Sequence, residues 1–169
     1  GGIISDAETT NLNGDIIASG DFNVQGDAVL TGATSIDTSG ANGTSQFAGT
    51  IEGANNLTLN AGSGDLAVSG TVGQSNRLGD LIVVDVANAT FAADVAVVQF
   101  DLRDGSASIT GGLDASSILE VANSTSAFGN ARTANLTVSG GAVIVGQGGA
   151  SDIIRIGRMQ GTGNPDAIG

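Results

Sequence analysis

Residues 53–70 read GANNLTLNAGSGDLAVSG, two short alternating runs each stopped by glycine, with no aromatic ring, lysine, histidine or cysteine. Alternation with a period of two puts Leu57, Leu59, Leu66 and Val68 on one side and Thr58, Asn60, Ala67 and Ser69 on the other, the pattern of half-buried strands. Strands this short cannot stand alone. Their backbone N–H and C=O groups need neighbours, so the fold is decided by how such stretches recur.

They recur evenly. The best-defined alternating runs centre on Ile17, Ile36, Leu57, Leu81, Phe100, Leu119, Val138 and Ile156, with gaps of 19, 21, 24, 19, 19, 19 and 18 residues. Sandwiches and barrels also use short strands, but a spacing near twenty held along a whole domain marks a solenoid, where each coil returns to the same angular position. Ile, Leu, Val, Phe and Met total 45, or five to six large apolar side chains for each of eight coils, enough for three short faces. One such set is Leu57 with Leu59, Leu66 with Val68, and Val72 with Leu78 near a corner. The expectation is an all-β chain forming a single domain over 1–169, a parallel β-helix of about eight coils of about 20 residues.

Two stretches invite other readings. Residues 83–102, VVDVANATFAADVAVVQFDL, hold alanines that favour helix, but Val83, Val84, Val86, Val95, Val97 and Val98 are β-branched and Asn88 with Thr90 interrupts a helical face, so strand is expected. Gly-Asp recurs at 14, 20 and 26, the six-residue rhythm of a left-handed β-helix. The rhythm lapses at Asn42. A general three-faced coil is therefore preferred, with Gly supplying positive φ and Asp bonding nearby amides.

Composition excludes several functions. Five arginines, no lysine and 17 carboxylates give a formal charge of −12, which repels nucleic acid and anionic membranes, and no basic cluster offsets it locally. No apolar run approaches the roughly 20 residues that cross a bilayer, and the N-terminus lacks the pattern of a signal peptide. The abrupt start GGIISD, without methionine, suggests a processed chain or a segment of a longer one.

The stretches FAGTIEGANNLTLNAGSGDLAVSGTVGQSNRLGDLIVVDVANATF (47–91) and ANLTVSGGAVIVGQGG (134–149) resemble the repetitive shafts of giant bacterial secreted surface proteins, the filamentous-haemagglutinin-like adhesins and autotransporter passengers. The resemblance implies a right-handed parallel β-helix exposed outside the cell. It carries over no catalytic residue.

Without His, Cys or Lys, the common general bases, thiol nucleophiles, imine-forming amines and zinc ligands are missing, and no Ser-His-Asp arrangement can be built. Paired carboxylates could still cleave glycosides. The nearest groups are DLRDG, with Asp101, Arg103 and Asp104, and SDIIRIGR, with Asp152, Arg155 and Arg158. The first reads as a surface ion pair beside a turn, and no Trp or Tyr offers a platform for a sugar ring. Asp15, Asp21 and Asp27 suit calcium chemically, yet six residues do not advance a three-faced coil by a full turn, so they do not stack on one edge. Asn-x-Ser/Thr triplets begin at Asn42, Asn56, Asn88, Asn123 and Asn135, and read as ladder-forming residues before glycan acceptors.

These readings expect no catalytic, cofactor-binding or metal site. They expect a non-enzymatic extracellular structural protein, the rigid shaft of a surface adhesin. The alternatives are a fibre or sheath subunit that self-associates end to end through open terminal coils, and a carbohydrate-active enzyme acting through Asp101 or Asp104.

Overall fold

The structure is a computed structural model that describes residues 1–121, 134–146 and 153–156. The strands are β1 (Ile3–Ser5), β2 (Thr9–Ile17), β3 (Phe22–Val24), β4 (Asp27–Asp37), β5 (Ser45–Phe47), β6 (Ile51–Glu52), β7 (Leu57–Asn60), β8 (Leu66–Val68), β9 (Leu78–Asp85), β10 (Asn88–Phe91), β11 (Val95–Leu102), β12 (Gly105–Ile109), β13 (Leu113–Val121), β14 (Ala134–Val138), β15 (Val143–Val145) and β16 (Ile153–Ile156). Residues 83–102 are strand, as β-branching demands. There is no helix among the described residues.

Two parallel sheets run along the stack, one in the order β1-β3-β5-β8-β10-β12-β14 and the other β2-β4-β7-β9-β11-β13-β15, with β6 added to β4 and β16 to β13. The second sheet divides into two faces. The first half of β4 pairs with β6 and its second half with β7, and register shifts separate the halves of β2 after Leu12 and of β11 after Val97. Three faces therefore surround one core, and the chain is a β-solenoid of about six turns.

The four residues that set the repeat, Leu57, Leu81, Phe100 and Leu119, stack in register on successive coils. All four are buried. On the first sheet Val24, Phe47, Val68, Phe91, Ile109 and Val138 form the matching column. Leu57, Leu59, Leu66, Val68, Val72 and Leu78 all face the core, as the alternation required. Each such burial contributes about 1.5–3 kcal/mol. Aromatic pairs bind the columns further: Phe22 and Phe47 lie 5.7 Å apart between centroids, and Phe91 meets Phe100 edge-on at 6.2 Å.

Two of the repeat positions shift. Ile16, not Ile17, shares a column with Ile36, while Ile17 pairs with Asp37 and is 80% exposed. The cause is the irregularity between Leu12 and Gly14, where Gly14 has φ 79°, since one extra residue flips every later side chain to the opposite face. Val138 belongs to the first sheet and Ile156 to the second, so the two mark different faces and not successive coils. The spacing of eight centres thus overcounts the turns.

The six-residue rhythm has a different meaning from the one expected. Gly20 with Gly26, Gly43 with Gly49, Gly64 with Gly70 and Gly105 with Gly111 each flank one strand of the first sheet, so six residues is the corner-to-corner width of that face. Positive φ is not the reason at 20 and 26. Close approach is: a Cβ on Gly43 or Gly64 would lie 2.4 Å from the carbonyl oxygen of the corner glycine one coil earlier, and on Gly49 2.5 Å. Ala87 and Ala93 occupy the same places in one coil.

Candidate functional site

Polar chemistry concentrates at the corners. The residue after the corner glycine is often Asp, and its Oδ1 accepts the backbone N–H of the equivalent residue one coil later. Asp21 accepts from Thr44 at 2.8 Å, Asp27 from Thr50 at 2.8 Å, Asp65 from Asn88 at 3.2 Å and Asp94 from Gly112 at 2.7 Å. Asn56 does the same at the third corner, accepting from Asp80 N–H at 2.9 Å, and Asn42 accepts from Ser63 at 3.0 Å. Glu52 receives Ser75 and Asn76 at 3.2 and 2.7 Å. These amides lie 18 to 24 residues away, so the Gly-Asp aspartates bracket coils together instead of closing local turns. Hydrogen bonds from the Thr50 backbone and hydroxyl hold Asp27 below the usual carboxylate range, and those from the Ser39 hydroxyl and amide do so for Asp37.

The expected calcium candidates separate accordingly. Asp21 and Asp27 are brackets at different corners, and Asp15 lies on β2 opposite Ser35. Among the described residues no three acids are grouped to hold a metal ion. The Asn-x-Ser/Thr asparagines are likewise engaged: beyond the bonds above, the Nδ2 groups of Asn56 and Asn88 donate to Asp80 and Asp65. They bridge to unlike partners, not to each other in ladders. Asn135 is exposed on β14, and Asn123 falls outside the described residues.

In the DLRDG group, Arg103 Nε donates to Asp101 Oδ2 at 2.8 Å, and Asp104 Oδ1 accepts the Gly105 amide at 3.0 Å. The pair was expected at the surface. Instead Asp101 is 3% exposed, in register with Ile82 on one side and Glu120 on the other, and Glu120 is only 5% exposed. Burial pushes the Asp101 carboxyl above its ordinary range, with Glu120 and Asp80 adding repulsion, while Arg103 pulls it down. Its Oδ1 is buried without a partner. In the second group, Asp152, Arg158 and the side chain of Arg155 lie outside what the structure describes.

Sequence reasoning passed over Arg77. In its coil the second sheet narrows to a one-residue bridge, Ile51 to Val72 to Val95, and the chain then loops outward through residues 73–77. Arg77 closes the gap. Its Nη1 donates to the carbonyl oxygens of Val97 at 3.0 Å and Asp114 at 2.9 Å, and its Nη2 pairs with Asp114 Oδ2. One side chain thereby clasps three consecutive coils. A cleft of about 480 Å³ lies beneath it, lined by Gly73, Gln74, Arg77, Asp94, Asp114 and Ile144 among others. Asp101 is not among its walls. The signal available in the sequence was a lone arginine in a 24-residue gap, the longest of the series.

No protein-family model, no curated protein and no solved structure matches the chain.

Proposed function

We propose that the chain is a non-enzymatic structural rod, the shaft of a bacterial surface adhesin held outside the cell and wound in the right-handed sense of the shafts it resembles. The observation that supports this reading is the use of the polar side chains. Asp21, Asp27, Asn42, Glu52, Asn56, Asp65 and Asp94 each tie one coil to the next, and Arg77 ties three. Parallel ladders, corner brackets and one aliphatic core resist the same deformation, separation of coils along the axis. A spacer needs that property, and its length follows from about 4.8 Å per coil. For Asp101 the non-enzymatic reading is supported by burial and the Arg103 pair, which leave no open cleft at that carboxylate.

Pulling single molecules by their ends tests the proposal. A shaft gives force peaks spaced by whole-coil contour lengths, and Arg77→Ala lowers the peaks of the three coils it clasps. A chain that extends smoothly at low force overturns it. Turnover of acidic polysaccharide that Asp101→Asn or Asp104→Asn abolishes would instead establish the enzyme.

A second reading, a fibre subunit stacking end to end, is favoured by the first coil. Ile4 is 69% and Ile17 80% exposed there, and the outer edges of β1 and β2 have no strand beside them among the described residues. Light scattering on dilution separates the two: particles that shorten as concentration falls mark the fibre.

A further inference from the structure

The two sheets differ in the charge they present. No residue of β1, β3, β5, β8, β10, β12 or β14 is charged, whereas the strands of the second sheet carry Asp15, Asp27, Asp37, Glu52, Asp80, Asp85, Asp101, Asp114 and Glu120. In a chain of net charge −12 this leaves one face without charge between its corners. That face is also the regular one. All six of its strand pairings run without a register shift, while the second sheet is irregular after Leu12, Leu59 and Val97. Its outward centre line is Asn23, Gln46, Ala67, Thr90, Ser108 and Thr137, short or uncharged side chains, of which the last three are exposed.

From this placement we infer that the first sheet is a lateral contact face for a second copy of the same rod, the two lying side by side. Charge selects the face. Two copies repel through their acidic sides, and only here do they approach without burying carboxylates. Spacing selects the partner. A row of side chains repeating once per coil, about every 4.8 Å, interdigitates along its length only with a surface of the same repeat, and another copy has it. The contact is weak for one unit: about 30 Å of stack by about 15 Å of strand gives about 450 Å² per copy, short of the roughly 800 Å² per partner of a stable complex. It grows with every added coil, so lateral pairing is a property of long rods first.

This inference concerns the flank of the rod and is separable from end-to-end stacking. Small-angle scattering across a concentration series is expected to show the cross-sectional radius growing with no gain in length. Thr90→Asp with Ser108→Asp, both on the exposed flank, abolishes the growth, whereas Thr58→Asp on the second sheet leaves it. Because the chain has no cysteine, a Ser108→Cys variant supplies a second reading: on oxidation it forms disulfide-linked dimers at least about tenfold faster than Thr58→Cys, the ratio of a populated to a random encounter. A cross-section that stays constant to about 1 mM, growth in length alone, or equal cross-linking at both positions overturns the proposal.

Discussion

The first sheet and the second solve the same problem with different punctuation. On the first, a glycine at each corner lets one coil sit against the carbonyl of the coil before, six residues separate the corners, and the register holds from Ile3 to Val138. On the second, strands run from two to eleven residues, the register slips, and loops such as 73–77 leave the wall. Regular geometry follows where the backbone spacing is set by a residue with no side chain. Where it is not, side chains must hold the coils, and there the charged clasps occur.

The comparison breaks first in the core. Phe47→Ala on the first sheet and Phe100→Ala on the second each remove a fully buried ring, and a loss of about 3–5 kcal/mol is expected for both in urea unfolding. Equal losses would show that the sheets share one core; a much smaller loss at Phe100 would mean that the irregular sheet relaxes around the cavity. Next come the corners. Gly49→Val forces atoms against the Gly26 carbonyl and is expected to cost about 2–4 kcal/mol, while Gly40→Ala, in open space, stays within about 0.5 kcal/mol.

Smaller effects sharpen the contrast. Arg77→Gln is expected to cost about 1–2 kcal/mol, reduced because the Arg77 side chain is 34% exposed, and to accelerate amide exchange at the bridge around Val72 before it does so at Val68. The pH dependence separates the sheets least in size but most clearly in sign. Asp37 and Asp27 titrate below their ordinary range when folded, so their contribution is present above the unfolded value near 3.8 and is lost as pH falls through the folded value. Asp101 is raised, so its contribution is full in acid and is lost as pH rises through its folded value. Unfolding midpoints measured from acid to neutral pH should rise less steeply in Asp37→Asn than in the parent. In Asp101→Asn they should rise more steeply.

Most of the architecture was legible because alternation and spacing report directly on burial. Leu57, Leu59, Leu66 and Val68 point inward as their period requires, and the column through Leu81, Phe100 and Leu119 follows from equal gaps. What could not be read was phase. A bulge at Gly14 moves the inward residue from Ile17 to Ile16, and nothing in a run of two isoleucines distinguishes them. The partners of the aspartates were hidden for a related reason: Asp27 and Thr50 become neighbours only after the chain has completed a turn, and the same Gly-Asp pair is chemically suited to a local bend. Burial of Asp101 was equally hidden, since strand alternation placed it outward.

The corner brackets have a direction. In every one described, from Asp21 with Thr44 to Asp94 with Gly112, the acceptor precedes its amide donor in the chain. A polypeptide delivered amino end first therefore arrives with its docking points already in position, each finished layer offering anchors to the one still emerging. Winding can then advance layer by layer at the pace of delivery, without waiting for the far end.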